Sequence, residues 1–323
     1  MNKLITSFQY ELRRTVSSTR VLWWIVLSAF PILIPVLLQW AWNRDRTSDF
    51  RGQNRPQTNI ATEIESSPEL PSARRQPRRF RPDDADSFTA NNDDEWRSRR
   101  RGRRGPPPEE YLPTIWSVIF FVTGPSVCCA MSVLLTAAPA VASEIEQRSW
   151  IYIATRPYGI QTMMLGKYLT AVLWGITSSI IGVSVGLLLT ESAQRLQIWQ
   201  TLVGLSICSA FAYAAVYMFL GAILPRRAMV LCVIYTAIAE IIIGSFPAVI
   251  NRFTVQYRLR ALLVEWAPVS KEFRSNEAVD WYIGEQGSGN HLVWLAVLTA
   301  ITLTLAVQLA QRREFAASVE GDL

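Results

Sequence analysis

Histidine is almost missing from this chain: among 323 residues there is one, His291. That scarcity removes most histidine-based metal sites and any serine-histidine triad. Cysteine is scarce too. Cys128, Cys129, Cys208 and Cys232 all fall inside apolar runs, so no extracellular disulfide framework is indicated. A phosphate-binding loop is also lacking. The nearest approach is 159–168, where the glycines stand too far apart and Tyr168 replaces the hydroxyl residue that would hold magnesium. No cofactor is therefore expected on this chain, and any ATP with its magnesium would have to sit on another polypeptide. No internal repeat is visible. The first apolar run starts late and is too long for a cleavable leader, so none is expected.

Apolar sequence is abundant. Half of the residues are hydrophobic, and the net charge of +6 is modest enough to need no nucleic-acid partner. Nearly uncharged runs recur, each long enough to cross roughly 30 Å of hydrocarbon as a helix of about 20 residues. They lie at 21–42, 115–141, 168–190, 198–224, 229–250 and 291–309. The fold class is accordingly all-α, a polytopic integral membrane protein of six spans. Trp23, Trp24, Trp40 and Trp42 bracket the first run as interfacial belts do, and Pro31 and Pro35 predict a kink inside it. The third run carries Gly175, then Gly182 and Gly186 at GxxxG spacing, which lets helix backbones approach closely.

The remaining segments are polar or amphipathic. In 1–20, Leu4, Phe8, Leu12 and Val16 recur every fourth residue, with Lys3, Glu11, Arg13 and Arg14 on other faces. That pattern predicts an interfacial helix, its basic groups toward lipid headgroups. Residues 43–112 hold no lysine and are rich in Arg, Asp, Pro, Ser and Asn; disordered chain is expected there. In 251–290, Val255, Leu259, Leu262, Leu263 and Trp266 form a helical stripe that predicts an interfacial or re-entrant helix ending before Pro268. Residues 310–323 read as a tail.

The stretch 143–167 is crowded with charge although it lies between two apolar runs. Glu144, Glu146 and Arg148 open it, Arg156 and Pro157 break it, and Gly166 and Lys167 close it. Ile145, Ile151, Ile153 and Ala154 can cover one side of a short helix while the carboxylates and Arg148 face water. Pro157 disfavours helix at the residue before it, so a second helix is expected from near Ile160. The product is a bent, charged knuckle at one membrane face. With both termini in the cytoplasm, inner segments collect Lys3, Arg13, Arg14, Arg20, Arg148, Arg156, Lys167, Arg226, Arg227, Arg312 and Arg313. That bias follows the positive-inside rule, which discounts long loops such as 43–112.

The order of acidic residues, Arg148, a hydrophobic helix, Pro157 and then Gly166-Lys167 before a span resembles the cytoplasmic segment of type-2 ATP-binding-cassette permeases. Ser149-Trp150 stands where many members carry Gly-Thr. The resemblance implies an elbow helix at the N-terminus and a coupling helix in 143–167 that docks on a separate ATPase. Its docking surface would comprise Glu144, Glu146, Arg148, Trp150, Arg156, Pro157 and Tyr158, with Lys167 anchoring the next helix. It also implies pairing with a second permease, identical or related, and export across the cell (plasma or inner) membrane.

Glu240 is the one acidic residue deep in a run. A carboxylate there is costly unless protonated, paired or facing water. Two roles are open for it, a protonated carboxyl hydrogen-bonded to a neighbouring helix and a station on a substrate path. An intramembrane enzyme would need a convergent set of groups that one carboxylate and one edge histidine do not make. An ion-coupled carrier, or a membrane scaffold binding through 43–112, remains as an alternative.

Overall fold

Long apolar runs become long helices in the computed structural model of the chain, which describes residues 2–16, 18–53, 111–146, 155, 158–190, 192, 194–244, 249–269 and 287–312. The chain divides into two units, Met1–Trp40 with Glu109–Leu323, and Ala41–Pro108. Among the described residues there is no strand. The helices are α1 (Asn2–Thr15), α2 (Ser18–Gln53), α3 (Leu112–Ala140), α4 (Ala142–Glu146), α5 (Gly159–Leu188), α6 (Arg195–Ile223), α7 (Ala228–Tyr235), α8 (Val255–Trp266) and α9 (Ser288–Arg312).

Five of these are long and apolar enough to cross a membrane: α2 through Val21–Ala41, then α3, α5, α6 and α9. The fifth expected run behaves differently. α7 continues as a π-helix, Thr236–Ile243, and the two pieces of 8 residues each rise about 24 Å together. The next described element is a short 3-10 turn, Val249–Phe253, so the expected end at 250 falls within that turn. The apolar stretch of α2 ends at Ala41, while the helix itself runs on to Gln53. Residues 43–53, expected as disordered chain, are helical. Extending an existing helix needs no new nucleus, and this stretch has no breaker before Gly52.

α6 is the axis of the first unit, with α3, α5, α7, α8 and α9 all packed on it. Its run Ala212, Tyr213, Ala214, Ala215, Val216, Tyr217 and Met218 is buried on every side. Alternating small and large side chains let several helices approach one another at once. α2 is the contrast. Among its described side chains only Ser28, Pro31 and Pro35 are buried, while Leu22, Trp23, Ile25, Val26, Phe30 and Leu33 are exposed. An exterior of that kind suits hydrocarbon better than water. Gly182 and Gly186 receive the buried stripe: a Cβ at Gly182 would stand 2.6 Å from the Ser28 carbonyl oxygen. Gly175 turns instead to Val133 and Cys129 of α3.

α3 contains a π-helical stretch of its own, Val122–Cys129. Pro125 lies inside it and cannot donate to the ladder, so the helix widens there. The Pro125 carbonyl accepts from Ser209 Oγ of α6 at 2.7 Å, which ties the widened turn to the neighbouring helix.

Candidate functional site

At the start of α5 the chain makes one unusual turn. Tyr158 has φ 62° and ψ 13°, the single left-handed non-glycine residue among the described ones, and it is 76% exposed. Its carbonyl accepts from Thr162 Oγ1 within the first turn. α5 therefore begins at Gly159, and Lys167 stands inside that helix rather than closing a separate segment.

Three elements meet at Lys167. Its ammonium lies 2.7 Å from Glu144 Oε1 of α4, 4.0 Å from Glu11 Oε2 of α1, and donates to Ser143 Oγ at 3.0 Å. Glu144, Lys167 and Glu11 are all buried. The expectation that both carboxylates of the knuckle face water is therefore corrected for Glu144. Lys167 of the neighbouring span offers Glu144 a partner in place of the water it gives up. Glu11, expected off the apolar stripe of α1, is buried near the same ammonium. Glu146 alone keeps its outward position. α1 is seated on α5, with Ser7 Oγ donating to the Thr162 carbonyl at 3.4 Å. A small polar cleft lined by Glu11, Thr136, Ser143, Lys167 and Thr170 opens beside this cluster. Arg148, Trp150, Arg156 and Pro157 lie outside the described residues, so of the expected docking surface the structure places Glu144, Glu146, Tyr158 and Lys167.

The second polar centre surrounds Glu240, which is 2% exposed. Each carboxylate oxygen accepts one hydroxyl and one amide. Tyr235 and the Val255 N–H donate to Oε1 at 2.9 and 3.3 Å; Tyr213 and the Gln256 N–H donate to Oε2 at 3.3 and 2.9 Å. The amides belong to the first turn of α8, whose next N–H, Tyr257, is taken by Thr254 Oγ1 at 3.2 Å. The carboxyl group faces the positive end of a helix dipole here. Of the two roles open for Glu240, this geometry fits the hydrogen-bonded helix contact. A return contact comes from α8, where Arg260 Nη1 donates to the Gly244 carbonyl at 2.6 Å. The two segments thus cap each other, a carboxyl group at one end and a guanidinium at the other.

Farther along α8, Arg258 is buried between the Tyr257 and Trp294 rings, 5.4 and 5.3 Å from their centroids. Nε donates to the Arg252 carbonyl and Nη1 meets His291 Nδ1, both at 3.0 Å. A guanidinium only donates, so Nδ1 of His291 accepts, which fixes the neutral ring with its proton on Nε2. Burial pushes the Arg258 pKa down, though a guanidinium keeps its proton throughout the physiological range.

Tyr213, Tyr235, Gln256, Arg260 and Glu11 are functional candidates that sequence reasoning misses. For the two tyrosines a signal exists, a phenol in the middle of an apolar run instead of at its ends, where aromatic belts lie. Among the described residues no group of His, Cys, Asp and Glu could hold a metal ion. Comparison with protein-family models, with curated proteins and with solved structures found no match.

Proposed function

We propose that this chain is the membrane-spanning permease subunit of an ATP-driven exporter of the type-2 ATP-binding-cassette kind. In this reading α7 and its π-helical continuation supply the sixth span, α1 is the elbow helix, and the segment after α4 grips a separate ATPase. The observation that carries the reading is the Glu11–Lys167–Glu144 cluster. It ties the N-terminal helix, the start of the charged segment and a 30-residue apolar helix into one polar joint. A push delivered at the segment's exposed tip reaches the bundle through that joint rather than being lost in a loose linker. The ion-coupled alternative would route protons or sodium through Glu240. Four donors already occupy that carboxylate, which favours a fixed strut over a carrier group.

Among the described members of the expected docking surface, Glu146 and Tyr158 are exposed. Glu146→Lys combined with Tyr158→Ala should abolish the ATP hydrolysis that co-purifies with the tagged chain from its native membranes. Membrane yield should stay at the parental level. Undiminished ATPase activity in the purified double variant would refute the docking surface. Orientation has its own check. A cysteine placed at Ser87, in the long arginine-rich loop, should react with an impermeant maleimide added to intact cells, and one placed at Ser7 should not.

A further inference from the structure

α8 is held differently from the other helices of the bundle. Its first two amides end on Glu240, and its last-turn carbonyl at Trp266 accepts from Thr201 Oγ1 of α6 at 3.1 Å. The side chain of Gln256, at the same end as Glu240, accepts from Ser126 Oγ at 3.0 Å. Both groups that grip this end sit in π-helical stretches, Ser126 in Val122–Cys129 and Glu240 in Thr236–Ile243. A π turn holds one residue more than the α turn it replaces. Reversion to α geometry rotates the downstream part of the helix by about 100°, one residue's share of a turn. Such a rotation would carry Glu240 or Ser126 off the end of α8.

The apolar face of α8, with Leu259, Leu262 and Leu263 buried, does not by itself fix where the helix rests. In a hydrocarbon surround those side chains lose little by leaving protein for lipid tails. The polar contacts decide, because lipid offers them no replacement.

The geometry points to a latch on the N-terminal turn of α8, the short helix between α7 and α9: that turn stays docked while the π turns of α3 and α7 aim Ser126 and Glu240 at it, and is released when that aim is lost. This inference does not depend on the transport reading, and its test needs neither an ATPase nor a substrate.

The experiment is hydrogen-deuterium exchange of the full chain in lipid nanodiscs. In the parent, peptides covering 249–266 should be protected. Glu240→Gln places an NH2 against one of the two amides whichever way the side chain is flipped, so one donor always faces a donor. Exchange in 249–266 should then rise by roughly tenfold, the scale of one orphaned buried hydrogen-bonding group. Peptides of α6 should be unchanged. Tyr235→Phe deletes one hydroxyl donor, leaves both amide contacts, and should give a smaller rise in the same peptides. Unchanged exchange in 249–266 in both variants would overturn the latch. So would a rise of equal size in α6, which would make Glu240 a strut of the whole bundle. If the glutamine variant fails to fold, the phenylalanine variant decides on the same criterion.

Discussion

Lys167→Met is expected to lower stability more than any other single change at the ionic joint, by about 3–5 kcal/mol. The methionine keeps much of the stem's volume but removes the ammonium that Glu144 and Glu11 share. Losing one partner of a buried pair is costly because the survivor has given up water for a neighbour that is no longer there. The second half of the prediction concerns rescue. Lys167→Met with Glu144→Gln removes the charge imbalance at its nearest point and should recover most of the lost thermal midpoint in detergent. Lys167→Arg should recover less, because a planar fork cannot reproduce an ammonium that reaches Glu144 at 2.7 Å and Ser143 at 3.0 Å. Thermal denaturation followed by size-exclusion chromatography separates these cases. Equal midpoints for parent and Lys167→Met would mean that the cluster is fully solvated.

Gly221→Ala should be the most damaging addition of a single methyl. At Gly221 of α6, a Cβ would overlap the Ala138 carbonyl oxygen, and its next neighbours are that residue's carbonyl carbon, at 3.2 Å, and Cα. No flexible side-chain tip is available to swing away, so two helix backbones must separate. A cost at or above the usual range for overpacking, about 1–3 kcal/mol, is expected. Gly204→Ala meets the Trp266 ring at 3.2 Å, which can yield by a few tenths of an ångström, and should cost less. Gly289→Ala meets nothing within 4 Å and should be neutral. That order of three, read as the fraction of protein surviving a fixed heat step, tests the α3–α6 contact directly. A Gly221→Ala variant as robust as Gly289→Ala would contradict it.

The sequence makes the helices legible and leaves their partners hidden. Apolar runs give length directly, and the spacing of Val255, Leu259, Leu262 and Leu263 marks one face of α8 without any knowledge of what covers it. The turn at Pro157 and Gly159 likewise announces where α5 can begin. Charge is harder to read. Glu144 and Glu11 look like solvated residues because each sits in a polar neighbourhood along the chain. Their burial depends on Lys167, which is distant in sequence from both, and such a pairing leaves no local periodicity. Glu240 is conspicuous as an isolated carboxylate, but its donors come from α6, α7 and α8 together. The π turns are equally invisible, since an extra residue in a turn changes no pattern that composition records. The continuation of α2 to Gln53 shows the opposite error, in which polar composition suggests loss of structure although nothing in it stops a helix already under way.

Ser178 has its full bonding capacity committed. It accepts from Ser28 of α2 at 3.3 Å and from Ser132 of α3 at 2.9 Å, and its own hydrogen is then free to reach Cys128 Sγ, 3.0 Å away. A hydroxyl offers one donor and two acceptor places, so a water or ligand atom could enter only by evicting an occupant. Three helices are thereby joined through a single oxygen atom. Any one of them that twists on its own must abandon the other two, so motion in this part of the bundle has to be concerted.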